Sequence, residues 1–183
     1  MDQYEYVKQS CLKSTTKNPI ELLNQIMSND DIPMHGPIHH SLDGACLLSC
    51  LHACGCNFDL EKALDEMIER GKKMPGATCG QWGVCGSVSS LGASLSIFHQ
   101  TSPLSNDEYY KDHMKLTSLI LNKMSEIGGP RCCKRNAYLS MLTAIDFIYE
   151  KYGIALEKQD VKCNFSTKNH QCIGIRCPFV RCV

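Results

Sequence analysis

The sequence predicts a mainly α, helical-bundle-like single domain over residues 1–183, closed by an irregular cysteine-rich C-terminal segment. Three observations predict it. Apolar residues recur at helical spacing in successive segments, Gly and Pro breaks separate those segments, and the periodicity fades after about residue 154 as cysteines crowd in. Repeats, linkers and low-complexity tracts are absent.

The elements follow in order. Pro19 opens "PIELLNQIM" at a first-turn position where its missing N–H costs nothing. After the loop "NDDIPMHGP", Pro37 starts a helix through "IHHSLDGACLLSCLHAC". Asn57 or Asp59 caps the amphipathic "LEKALDEMIER", which is expected to stop at Gly71. The small-residue run "GVCGSVSSLGASLSIF" requires another helix or a bound group lying very close. "SNDE" at 105–108 reads as a capping box for a helix through Met124 that ends at Gly128-Gly129-Pro130. A fifth strong helix, "CKRNAYLSMLTAIDFIYEKYG", ends at Gly153.

Composition narrows the function. Lys plus Arg and Asp plus Glu both number 19, so no whole-protein field exists to draw nucleic acid or an acidic membrane. No apolar run reaches the roughly 18 residues of a membrane span, and the polar start lacks a signal-peptide core. The cytoplasm is the expected compartment. Thirteen cysteines, an odd count without an export signal, argue against a disulfide framework. Metal ligation or thiol chemistry is the better reading.

Four constellations carry that reading. In "EIGGPRCCKRN" the adjacent Cys132 and Cys133 fall at the start of the fifth helix, with Pro130 or Arg131 in its first turn. The helix dipole together with Arg131, Lys134 and Arg135 is expected to favour thiolate there. "PGATCGQWGVCG" sets Cys79 and Cys85 in a Gly-rich turn beside Trp82, a candidate aromatic wall for a cofactor. "CNFSTKNHQCIGIRCPFVRC" spaces Cys163, Cys172, Cys177 and Cys182 with a Cys-Pro pair, as at iron–sulfur ligands, and Cys182 is expected to fray. "MHGPIHH" clusters His35, His39 and His40 near Asp43, where imidazoles can ligate metal, move protons or simply cap a helix. Cys46, Cys50 and Cys54 form an i, i+4, i+8 stripe that reads as core packing, since three ligands over two turns span too far for one ion.

Taken together, "HGPIHH", "CGQWGVCG", "IGGPRCCKR", "CNFS" and "CIGIRCPF" resemble a family of bacterial and archaeal cysteine-rich domains of unknown function, found alone or attached to methyltransferase-like domains. The resemblance runs over about residues 33–180 and places His35, His39, His40, Cys79, Cys85, Cys132, Cys133, Cys163, Cys172 and Cys177 at motif positions. It implies no reaction. The C-x5-CG element also resembles, more loosely, a redox-associated cysteine family. The seven motif cysteines are expected to converge in space.

The reading that results is an iron–sulfur protein with redox or sulfur-transfer chemistry. A [4Fe–4S] cluster would sit on Cys163, Cys172 and Cys177 with Cys132 or Cys133, and Arg131 would add compensating positive charge. Cys79, Cys85 and the three histidines are then the catalytic candidates, acting on a small-molecule or sulfur-donor substrate. A zinc-stabilised accessory module serving a methyltransferase or radical enzyme uses the same cysteines, and a metal-free thiol oxidoreductase uses one of the pairs.

Overall fold

A computed structural model describes residues 2–180, so Cys182 lies outside the described residues. Within them the fold is all helical, with no strand. The eight α-helices are α1 Gln3–Lys13, α2 Pro19–Met27, α3 His39–Ala53, α4 Leu60–Lys73, α5 Thr78–Gln81, α6 Gly86–Phe98, α7 Glu108–Ile127 and α8 Cys133–Tyr152.

The central element is α3, buried without interruption from His39 to Leu51. A helix with Leu, Cys, Ala, Gly and Ser on every face has no polar side to offer water, so it must be enclosed. Helices α1, α2, α4, α6 and α8 pack around it, and α7 lies outside against α6 and α8. The Cys46 and Cys50 thiols are fully buried in this core, and burial holds both well above the usual thiol range. Cys46 and Cys50 of the stripe are therefore packing, as the spacing implied, while Cys54, at the C-cap of α3, is only partly buried against the core.

The small-residue run of α6 meets α3 at backbone distance. A side chain added at Gly44 would come within 2.6 Å of the Ser90 carbonyl oxygen, and the Gly44 N–H donates to Ser90 Oγ at 2.8 Å. Gly71 does not end α4, which continues to Lys73; a Cβ there would lie 2.9 Å from the His40 carbonyl oxygen. Its role is close approach to α3, a requirement that looks in sequence like a helix stop. The predicted capping box is displaced as well. Asp107 caps α7 by accepting from the Tyr110 N–H, while Ser105 Oγ accepts from the Ser102 N–H in the preceding turn. Helix α1, polar in composition, escaped the sequence reading; it buries only Val7 and Cys11.

The segment after Gly153 is irregular but tied down. The Glu157 N–H donates to the Lys17 carbonyl, and Asn18 Nδ2 donates to Gln159. The Cys163 N–H donates to the Phe179 carbonyl at 2.8 Å, closing residues 163–179 into one loop. Phe179 meets the buried Tyr138 ring of α8 edge-on, which seats the loop over the first turns of that helix.

Candidate metal centre and the cavity beside it

Helix α8 begins at Cys133, with Cys132 as its N-cap: Cys132 Sγ accepts from the Arg135 N–H at 3.4 Å. Sulfur stands where Ser or Asp usually does, filling the need of an orphan first-turn donor. Pro130 and Arg131 fall outside the helix rather than in its first turn, and the helix begins at Cys133, where "CKRNAYLS" begins.

The docked C-terminal loop brings three more thiols to that N-terminus. Cys132, Cys163, Cys172 and Cys177 line one apolar cavity, together with Tyr138, Phe165 and Phe179. Its free interior is about 10 Å³, room for about one water, so a bound cluster would require the C-terminal loop to move outward. Three of these sulfurs accept backbone N–H groups at 3.4 Å: Cys132 from Arg135, Cys163 from Phe165 and Cys172 from Gly174. Asn169, buried beside them, turns its amide Nδ2 to Cys132 Sγ at 3.5 Å and its Oδ1 to His35 Nε2 at 3.2 Å. That hydrogen bond puts the proton on His35 Nε2 and leaves Nδ1 to accept the Cys133 N–H at 3.4 Å. Burial lowers the His35 pKa, consistent with a neutral ring in this role.

Two buried cations adjoin this cavity. Arg135 reaches back to the Gly128 and Pro130 carbonyls at 3.1 and 3.0 Å, fixing the α7–α8 connection. Lys134 donates to the Met27 carbonyl at 3.3 Å and lies 5.0 Å from the Phe165 ring centroid; burial lowers its pKa to about 8. The expected thiolate character is overturned in the bare chain. Burial pushes Cys132 and Cys163 up, and Cys133 up to about 11, against the opposing N–H groups and the Arg135 charge. Desolvation outweighs the dipole here because the thiols face apolar side chains rather than water.

Cys133 turns the other way. It lines a second cavity of about 70 Å³ together with His39, His40, Cys79, Cys85 and Asn136. Asn136 Nδ2 donates to Cys85 Sγ at 3.2 Å. His40 Nδ1 donates to the Met74 carbonyl at 3.2 Å, so its Nε2 keeps a free lone pair, and burial lowers its pKa. The ring packs against Gly86, where any Cβ would overlap it. His39 Nε2 donates to the Pro33 carbonyl at 3.3 Å, and its Nδ1 faces Asp43 Oδ1 at 3.9 Å, beyond hydrogen-bond range. Asp43 is fully buried and accepts from Ser87 Oγ.

The seven motif cysteines thus form two groups, four and three, that meet at the Cys132–Cys133 peptide. Trp82 lines neither cavity and is 65% exposed, so the aromatic-wall expectation fails. Arg131 stands at the second cavity instead of the first. Asn169, Asn136, Asp43 and Ser87 hold the site together. Apart from the proximity of Asp43 to the histidines, nothing in their local sequence marks them, because each acts across more than 35 residues of chain.

The donor chemistry of this cavity is that of thiolate ligation: four cysteines, three of them with N–H groups on sulfur, and two adjoining cations. Among the described residues no three His, Cys, Asp or Glu side chains are grouped tightly enough to hold one metal ion.

A family model described as a family of unknown function, DUF5714, matches residues 7–180. The chain belongs to this family. The DUF5714 match begins within α1, so the helices that wrap α3 belong to the same unit as the cysteine motifs. Comparison with curated proteins and with solved structures gives no match.

Proposed function

We propose that the protein holds an iron–sulfur cluster, [4Fe–4S], on Cys132, Cys163, Cys172 and Cys177, and that it serves redox or sulfur-transfer chemistry in the adjoining cavity. One observation carries the reading. Four cysteines from two distant segments line a single apolar cavity at a helix N-terminus, with N–H groups on three of their sulfurs. The cluster, when bound, supplies one-electron transfer. The chain supplies the rest: it binds the four thiolates, shields them behind Tyr138, Phe165 and Phe179, and offsets their charge with Lys134 and Arg135. His40, neutral and with its Nε2 lone pair free, is the proton acceptor of the neighbouring cavity, and Cys85 and Cys133 are its thiols.

The test compares two serine variants. Cys177→Ser removes a cavity thiol and is expected to abolish iron binding, whereas Cys50→Ser, in the core, keeps the iron at a packing cost of about 1–3 kcal/mol. Equal iron content in the two variants refutes the ligand assignment. A zinc-stabilised accessory module is the second reading, favoured by the way residues 163–179 form an irregular loop held closed at that cavity. It predicts a colourless protein that unfolds on chelation.

A further inference from the structure

Among the described residues, two buried polar atoms that lack a hydrogen-bond partner face each other: His39 Nδ1 and Asp43 Oδ1, 3.9 Å apart. Both side chains are enclosed, at 1% and 0% exposure. Buried polar atoms are ordinarily satisfied, so this contact must be attractive.

The surrounding hydrogen bonds say how. The Pro33 carbonyl can only accept, which puts a proton on His39 Nε2. Asp43 Oδ2 accepts from Ser87 Oγ, a bond that favours the carboxylate form. A neutral His39 would then point its Nδ1 lone pair at the lone pairs of Asp43 Oδ1. A second proton, on Nδ1, turns repulsion into attraction and gives the buried carboxylate a counter-charge. Lys134, the other cation that feels Asp43, is engaged instead by the Met27 carbonyl and the Phe165 ring. His35 and His40 are held neutral by burial, and the nearby thiols of Cys46, Cys85 and Cys133 carry no positive charge. His39 is also the first residue of α3, where the helix dipole opposes a cation, so its extra proton depends on Asp43 one turn along.

We propose that His39 and Asp43 form a buried imidazolium–carboxylate pair in the wall of the second cavity, and that His39 is a positioning residue whose charge cancels that of Asp43 beside the Cys85 thiol. The adjacent histidines thereby divide the work: His39 keeps its proton and His40 accepts one. Burial pushes the Cys85 thiol up and the Asp43 charge adds to it, so His39 keeps Cys85 ionisable. This role rests on the thiol chemistry proposed for the cavity, whereas the proton placement does not.

The experiment is nitrogen-15 NMR of the histidine side chains at neutral pH, on anaerobically isolated protein, with the His39 signals assigned by their loss in His39→Gln. Protons on both His39 nitrogens, beside a His40 protonated at Nδ1 alone, are expected, and Asp43→Asn should return His39 to the neutral form. A neutral His39 in the wild-type chain overturns the pair, and so does an imidazolium that persists in Asp43→Asn. The role is read from the pH profile of Cys85 alkylation, followed by peptide mass spectrometry. His39→Gln should slow it several-fold at a given pH and shift its midpoint upward, and adding Asp43→Asn should restore the rate. An unchanged profile in His39→Gln overturns the role. Iron content enters neither readout, so this claim and the cluster assignment fail separately.

Discussion

Cys132 and Cys133 share a peptide bond yet line different cavities, one facing three cysteines of the C-terminal loop and the other facing Cys85 and His40. Successive residues at a helix start point about 100° apart, so two adjacent thiols can serve two sites a few ångströms from each other. Cys132, as N-cap, takes the Arg135 N–H; Cys133, as first helical residue, turns toward α3 and α6. If a cluster sits on one side, only this dipeptide separates it from the thiols on the other.

Asn169 ties the two sides together through Cys132 Sγ and His35. Asn169→Ala should destabilise the fold by about 1–3 kcal/mol, since it leaves buried partners unpaired. It should also speed iron loss to a chelator several-fold. Denaturant unfolding and the rate of chelator-induced bleaching check the two effects separately.

Gly86 and Gly80 make a matched pair. Gly86→Ala places a Cβ inside the His40 ring and should cost about 1–3 kcal/mol while displacing the imidazole. Gly80→Ala meets nothing within 4 Å and should stay within about 0.5 kcal/mol of wild type. Thermal unfolding of both variants tests whether the glycine serves the histidine or merely the turn.

His35 and His40 both titrate lower in the folded chain than in the unfolded one, because burial disfavours their charged forms. Between the two pKa values the unfolded chain binds more protons, so stability rises with pH and is complete above the unfolded value of about 6.5. Stability should therefore fall as pH drops through that value and below it. His40→Gln should flatten part of the slope, measured as unfolding free energy from pH 8 to pH 5. An unchanged slope in this variant contradicts the burial assigned to the ring.

Lys134 is the other lever. Lys134→Met keeps the volume, removes a desolvated charge, and should leave the metal-free fold as stable or slightly more so. With a cluster in place, losing that cation should shift its reduction potential in the negative direction, read by redox titration of the visible absorption. A potential unmoved by the substitution separates Lys134 from the site.

Much of this was legible in the sequence. The α2 start at Pro19, the α4 cap at Asp59, the end of α8 at Gly153 and the packing role of Cys46 and Cys50 are all local, set by capping and periodicity within one segment. The partition of the motif cysteines was not, because it depends on how residues 163–179 fold back onto α8, held by Phe179 and the Cys163 N–H. Thiolate character was misjudged for a related reason. The Arg131, Lys134 and Arg135 charges are visible in sequence, whereas the apolar walls that desolvate Cys132 come from elsewhere in the chain. Gly71 shows the same ambiguity in small form, since a helix stop and a close helix contact both call for glycine.

The most direct measurement is iron and acid-labile sulfide content, with a visible spectrum, on protein purified without oxygen. About four irons and four sulfides per chain, with broad charge-transfer absorption lost in Cys177→Ser, is the expected result. Stoichiometric zinc without sulfide, or no metal at all in protein whose cavity thiols alkylate freely, would contradict it.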